Sequence, residues 1–260
     1  VYLDLSRAVT TEVVTETYAE WRRTGSSCRG ALLWTLQDLE AGPGWGIIDA
    51  TGEAKAVWYG LKRAFRPLQL LLTDEGTNGL SIHLLNETAN VEPVNLEIAC
   101  LRDGRHAVVK GSRDLTLDAR CTLKLAATDL FGAFFDTTYA FRFGPPSHDI
   151  TVARLLSGEG TVVAEAFHFP LGRSKALHSA AFEHSFSATG DGWLLELTTD
   201  TFAQSVHLDF EHYLPSDDWF HLAPGRPRTI RLLPRQGTEP SASPVGTLTY
   251  LGSRTGYAVS

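Results

Sequence analysis

Carboxylates, tryptophans and closely spaced glycines meet in one short stretch of this chain, Gly30 to Pro67, GALLWTLQDLEAGPGWGIIDATGEAKAVWYGLKRAFRP. Asp38, Glu40 and Asp49 are its candidate acids and bases, and Trp34 and Trp45 its candidate apolar platforms. Gly42, Pro43, Gly44 and Gly46 give the loop between them a tight, shaped path. Each carboxylate also has a structural reading. Asp38 is expected to orient the loop by accepting backbone N–H bonds or by pairing with an Arg, Glu40 to be solvated, and Asp49 to be a turn residue. The other chemistries find no motif. The nine histidines are scattered, with no H-x-x-x-H or H-E-x-x-H; His207 and His212 flank a strand end without the further ligands a metal needs. No G-x-S-x-G, G-x-G-x-x-G or phosphate loop is present, so neither a cofactor nor a metal is expected.

Those residues need elements to place them. Val9, Val13, Val14, Tyr18 and Trp21 recur at helical spacing, which predicts a helix from Ser6 to Arg23 that Gly25 terminates. Ala31 to Leu36 is a nearly continuous apolar run, as in a parallel strand buried on both faces. Ala54, Val57, Trp58, Leu61 and Phe65 mark one face of a second helix, and Pro67 stops it. After Pro67 the period becomes two. Strands are expected at Leu68–Leu72, Leu80–Leu85, Val94–Leu101, Ala107–Val109, Leu115–Leu117, Thr122–Ala126, Tyr139–Phe143, Ile150–Leu155 and Val162–Phe169. Leu171 to Lys175 reads as a linker. Further strands follow at Phe182–Ala188, Trp193–Thr199, Val206–Phe210, Thr229–Leu233 and Thr247–Leu251, with a mobile loop at Gln236–Pro244. The expectation is a mainly β chain: an α/β segment over 1–66, then two antiparallel, immunoglobulin-like β-sandwiches over 67–172 and 173–260.

Composition sets the limits. The 260 residues carry 43% hydrophobic and 20% charged side chains, ordinary for a globular protein, and no apolar run approaches a membrane span. A net charge of −7, without basic clusters interleaved with aromatics, argues against nucleic acid as the partner. Cys28, Cys100 and Cys121 fit no metal spacing. Cys100 and Cys121 each close or open an alternating run, so both buried free thiols and a cross-sheet disulfide are geometrically open.

The stretch Gly30–Tyr59 resembles the last βα unit of a glycoside hydrolase family 2 barrel, most closely the β-mannosidase branch. That pattern runs roughly G-A-L-x-W-Q-L-N-D-x-W-P-x-x-S-W-x-x-I-D-x-x-G-x-P-K-A-x-x-Y. Gly30, Ala31, Leu32, Trp34, Leu36, Asp38, Trp45, Ile48, Asp49, Gly52, Lys55, Ala56 and Tyr59 match it. Thr35, Gln37, Glu40, Gly44 and Ala54 depart from it, mostly within the loop. Trp21-Arg22 is similar to the W-R that ends the preceding helix. DDWFHLAPG, Asp217 to Gly225, is similar to the N-Y-F-D-L-x-P-G turn of the terminal sandwich, with Trp219 and His221 departing.

The resemblance implies that the chain is the C-terminal part of a retaining, exo-acting β-mannosidase. A (β/α)₈ barrel takes about 250 residues, so 1–66 is its final fragment; a first residue Val1 and the absence of Met fit that reading. Retention requires two carboxylates about 5–5.5 Å apart. In the family both are Glu on earlier strands, so no catalytic residue is expected here and the chain alone should be inactive. Trp34, Asp38 and Trp45 are the expected substrate-binding residues at the barrel rim. Burial as a core Trp remains the other reading for Trp34, and as a loop anchor for Trp45. The implied partners are a β-mannoside or oligosaccharide and the missing N-terminal part of the same protein, with no nucleic acid and no membrane. PGWGIID favours a mannosidase over a β-galactosidase, β-glucuronidase or exo-glucosaminidase. A non-catalytic carbohydrate-binding sandwich protein would account for 67–260 but not for the apolar run 31–36. A barrel strand without neighbours exposes its edges. The segment 1–66 is therefore expected to pack on the first sandwich, pair with another copy, or be held by the missing portion.

Overall fold

The computed structural model describes residues 2–237, 239 and 242–260. The expected mobile loop Gln236–Pro244 includes Thr238, Pro240 and Ser241, which lie outside the described residues.

Alternation after Pro67 produces strands as expected. β1 (Leu68–Asp74), β2 (Leu80–Asn86), β3 (Glu92–Arg102), β4 (His106–Leu117), β5 (Cys121–Ala126), β6 (Ile150–Ser157) and β7 (Val162–His168) form two antiparallel sheets, ordered β1-β2-β5 and β4-β3-β6-β7. Register brings like residues into rows. Leu84 lies opposite Leu70 on one side and Leu123 on the other, and Ile82 opposite Leu72 and Leu125. In the second sheet Leu96 faces Leu155, which faces Ala164. These rows interdigitate into one core with Leu80, Val94, Ile98 and Leu117. The β3–β4 hairpin turns at Asp103 and Gly104 with φ of 55° and 62°, the paired positive angles that a tight hairpin turn demands.

The second sandwich repeats the logic. β8 (Phe182–Thr189), β9 (Gly192–Thr199), β11 (Tyr213–Pro215) and β13 (Arg228–Pro234) form the sheet β11-β13-β9-β8; β10 (Ala203–Phe210), β12 (Phe220–Leu222), β14 (Gly246–Leu251) and β15 (Tyr257–Val259) form β12-β10-β14-β15. Leu195, Leu197, Ile230 and Leu232 meet Val206, Leu208, Phe210, Phe220 and Leu248 in its core. A bulge interrupts β10 between Ala203 and Val206, where Ser205 has φ of 47°. The N–H of Ser205 donates to His221 Nδ1 at 3.0 Å.

The helices are α1 (Tyr2–Arg22), α2 (Ala56–Ala64) and the short α3 (Ala127–Phe131). The chain divides into two compact units. One comprises Val1–Val14, Leu33–Gly60 and Leu177–Ser260, and the other Thr15–Leu32 and Leu61–Ala176. The residues of 1–66 are thus shared between the two.

Three expectations are corrected. Ala31–Leu36 forms no strand: Leu32 is 99% and Leu36 62% exposed, and the first β-type pairing is the isolated bridge Gln37 to Ile48. A doubly buried strand exists only between neighbours that accept its hydrogen bonds, and the described residues supply none. Tyr139–Phe143 is irregular. The Asp136 carboxylate accepts the N–H groups of Ala140 and Phe141 at 3.0 and 3.1 Å, and Tyr139 and Arg142 take φ of 54° and 53°, so the chain turns instead of extending. Ala107–Val109 and Leu115–Leu117 are one strand, because the polar residues between them lie on an exposed edge.

All three cysteines are free, so of the two readings the unpaired thiols hold. Cys100 is wholly buried with Sγ 3.4 Å from Thr151 Oγ1, and burial pushes its thiol up to about 12. In the native protein Cys100 should therefore resist a thiol reagent at pH 8 and react only on unfolding. Stoichiometric labelling without denaturant would contradict the packing seen.

Candidate functional site

The Gly30–Pro67 stretch folds into a loop braced by its own backbone and one ion pair. Ile47 and Ile48 donate their N–H groups to Leu36 O at 3.1 and 3.0 Å, and Asp38 N–H donates to Ile48 O at 3.0 Å. Lys55 N–H donates to Ile47 O and Asp49 N–H to Glu53 O. Asp49 makes the turn as expected: its Oδ1 accepts Thr51 N–H (2.8 Å), the Thr51 hydroxyl (2.7 Å) and Glu53 N–H (3.0 Å). The Thr51 hydroxyl and the backbone donors hold its carboxyl below the usual range.

Asp38 is the loop's centre. Oδ1 accepts Gly46 N–H at 2.7 Å and Oδ2 pairs with Lys55, whose ammonium also donates to Gly44 O at 3.2 Å. The Lys55 hydrogen bond and the Gly46 amide keep its carboxyl below its ordinary value, so it stays ionised and cannot serve as a general acid near neutrality. Two glycines make room for it. A Cβ on Gly44 would sit 2.2 Å from Asp38 Oδ1, and one on Gly46 2.6 Å from Asp38 N.

Among the residues expected at a binding rim, Trp34 and Trp45 are 79% and 80% exposed, while the Asp38 side chain is only 5% exposed and occupied within the loop. The Trp34–Thr35 peptide is cis. Glu40 is exposed. Among the described residues no group of three or more His, Cys, Asp or Glu could hold a metal, and no helix is long and apolar enough to cross a membrane. His207 and His212 do not converge: His207 Nδ1 meets Asp218 Oδ2 at 2.8 Å, and His212 lies exposed beside Glu211.

Sequence reasoning missed two supports of this loop. One is Lys55, the cation of the Asp38 pair, where an Arg was the expected partner. The other is Trp219. It packs on Ala56 and Tyr59, with Ala54 against the same cluster. The double Asp before it was the available signal. Asp217 accepts Asp218 N–H and pairs with Arg228, and Asp218 accepts the N–H groups of Leu208 (2.8 Å) and Trp219 (2.9 Å).

Residues 177–249 match the family Ig_mannosidase, an Ig-fold domain. A curated relative, β-mannosidase B of Emericella nidulans, is 34% identical over 73 residues, which is 27% of this chain and 9% of that protein. A β-D-mannosidase from Dictyoglomus thermophilum shares the fold with a TM-score of 0.75 at 20% identity, over 88% of this chain and 27% of its own. An exo-chitosanase from Amycolatopsis orientalis does so with a TM-score of 0.67 at 13% identity, over 98% and 34%. The chain therefore spans about a third or less of each of these three relatives. With an Ig_mannosidase domain over 177–249, this chain has the fold of the C-terminal part of a glycoside hydrolase family 2 enzyme.

Proposed function

We propose that this chain is the C-terminal part of a retaining, exo-acting β-mannosidase and that Trp34 and Trp45 line the subsite for the terminal mannosyl residue. Asp38 and Lys55 hold their loop, and the two catalytic Glu lie on strands outside this sequence. The observation that carries the reading is the pair of exposed Trp rings on a loop braced by a partly buried ion pair. A stacking platform for a sugar needs an open aromatic face on a rigid support. The exposed apolar side chains of Leu32, Leu36 and Leu39 support a covering structure such as the rest of a barrel. The Ig_mannosidase match and the Emericella relative favour mannoside over glucosaminide; the Amycolatopsis neighbour keeps an exo-glucosaminidase as the second reading.

The test is hydrolysis of aryl β-D-mannoside and aryl β-D-glucosaminide by the longer protein carrying this chain, beside the 260-residue chain itself. Mannoside turnover by the longer protein alone is expected. Trp34→Ala should lower its kcat/KM roughly 10- to 100-fold, as loss of one aromatic face of about 1.5–3 kcal/mol would. Turnover by the short chain, or an unchanged kcat/KM in the Trp34 variant, would defeat the proposal. Preference for the glucosaminide would select the second reading.

A further inference from the structure

The Asp-Asp-Trp turn of the second sandwich holds its tryptophan in an uncommon backbone conformation. Trp219 adopts φ of 52°, a left-handed conformation rare for a bulky residue. Such strain persists only where its surroundings over-determine it, and here they do. Asp217 and Asp218 fix the preceding backbone through four hydrogen bonds and pairings to Asp218 N, Arg228, Leu208 N and Trp219 N. Asp218 also orients His207, whose ring stacks on the Trp219 indole at 4.6 Å and 20°. Trp219 thus stacks on His207, shares a buried cluster with Ala56 and Tyr59 against which Ala54 packs, and is 7% exposed.

The residues it grips are the loop's anchor. Ala54 bridges Ile48, and Lys55, between Ala54 and the clustered Ala56, carries the ammonium that holds Asp38 and Gly44 O. Lys55 joins the bridge at Ala54 to the first residue of α2, Ala56, which shares a buried cluster with Trp219, while its own side chain takes the Asp38 carboxylate. A chain of contacts thus runs from Trp219 through Ala56 and its neighbour Lys55 to Asp38 and Gly46.

We propose that Trp219 is a positioning residue: it sets the place of the Trp34–Trp45 loop through Ala54, Lys55 and Asp38, and so tunes substrate affinity without touching substrate. The link to affinity rests on the function proposed above; the mechanical coupling does not. Two readouts separate them. The first is amide hydrogen exchange at Gly46, Ile47, Ile48 and Lys55 in the longer protein, wild type against Trp219→Ala and Trp219→Phe. The second is steady-state hydrolysis of aryl β-D-mannoside by the same proteins.

Trp219→Ala is expected to speed exchange at these four amides at least tenfold, leave the core amides of Leu195 and Leu232 protected, and raise KM about tenfold with kcat nearly unchanged. Trp219→Phe, which retains an apolar ring, should restore most of both. If Trp219→Ala does not fold, the Phe variant and a His207→Ala variant, which removes only the stacking partner, carry the test with smaller shifts in the same direction. Unchanged loop exchange in variants whose core remains protected would overturn the inference. Faster exchange with unchanged KM would uphold the mechanical coupling and overturn the assignment of the loop to substrate.

Discussion

Acidification from pH 7 to pH 4 is expected to cost the first sandwich about 3 kcal/mol through His148 alone. His148 is 3% exposed, with Phe135 at 5.3 Å and Ser147 Oγ at 2.9 Å from Nδ1. Burial, and secondarily the neighbouring His168, lower its pKa from 6.5 to about 4, against smaller opposing effects of the Thr137 backbone and Asp136. The sign follows from proton counting. Above 6.5 the imidazole is neutral in both states and the folded state loses nothing. Below 6.5 the unfolded chain takes a proton that the folded chain refuses, so stability falls until the folded group titrates near 4 and then levels off. A gap of roughly 2.5 units at 1.36 kcal/mol each is about 3 kcal/mol. His83, buried in β2, and His168 are lowered chiefly by burial too and act in the same direction. Carboxylates such as Glu75, held down by the Thr73 hydroxyl, also lose stabilisation in acid, so the total slope does not isolate His148. The difference between wild type and His148→Gln does. Urea midpoints of the two at pH 7, 5.5 and 4 should converge on acidification; parallel curves would show that His148 carries no such penalty.

That histidine illustrates what a linear reading can and cannot reach. Alternation reports which face of a strand is buried, and β3, β13 and β14 were legible because buried residues alternate along them with more exposed ones. In β2 all seven residues are buried, so His83, which the pattern alone would turn outward, lies wholly enclosed. Its Nδ1 accepts Thr24 N–H and its Nε2 meets Thr73 Oγ1 at 3.0 Å, partners 59 and 10 residues away. The cover over the second face comes from distant sequence, and no window on the strand contains it. The apolar run 31–36 fails for the opposite reason: its composition fits burial between strands, and the described residues provide no such strands. The short strands β11, β12 and β15 are three residues each, too brief for a period to register.

The candidate site divides along the same line. Asp49 and its turn were legible, since Asp, Thr51 and Gly52 make their bonds within four residues. The loop-orienting role of Asp38 was legible in kind, because a carboxylate facing two nearby glycines has amides to accept. Its cation was not, as Lys55 is 17 residues on and reaches it only after the turn at Asp49 reverses the chain. Trp219 was read as a departure from a turn pattern, yet it packs against residues more than 150 positions earlier in the chain. Local chemistry survives in a linear reading, whereas a contact made by folding does not.

Gly46→Ala is the sharpest probe of that loop, and its effect should exceed what one methyl group suggests. The new Cβ would lie 2.6 Å from Asp38 N, 2.7 Å from Asp38 Oδ1 and 2.8 Å from the Gln37 carbonyl carbon. Two of these three are backbone, and that backbone is pinned by the Asp38 N–H bond to Ile48 O and the Ile47 and Ile48 bonds to Leu36 O. Neither rotamer change nor side-chain bending relieves the clash. Overpacking where neighbours yield costs about 1–3 kcal/mol; where they cannot, the loop opens. Opening breaks the Gly46 N–H bond to Asp38 and leaves the Lys55 pair to solvent. The core of the second sandwich draws on none of these atoms, so its unfolding midpoint should move little. The expected result is therefore a split: near-native global stability, rapid proteolytic nicking between residues 40 and 47, and a fall of at least 10-fold in mannoside kcat/KM of the longer protein, the scale of losing about 1.4 kcal/mol or more in transition-state binding. Asp38→Asn separates the two contributions. It keeps an acceptor for Gly46 N–H but removes the charge, so the loop should stay closed to protease while its hold on Lys55 weakens. Equal nicking in Asp38→Asn and Gly46→Ala would place the ion pair, not the glycine clearance, in control of the loop.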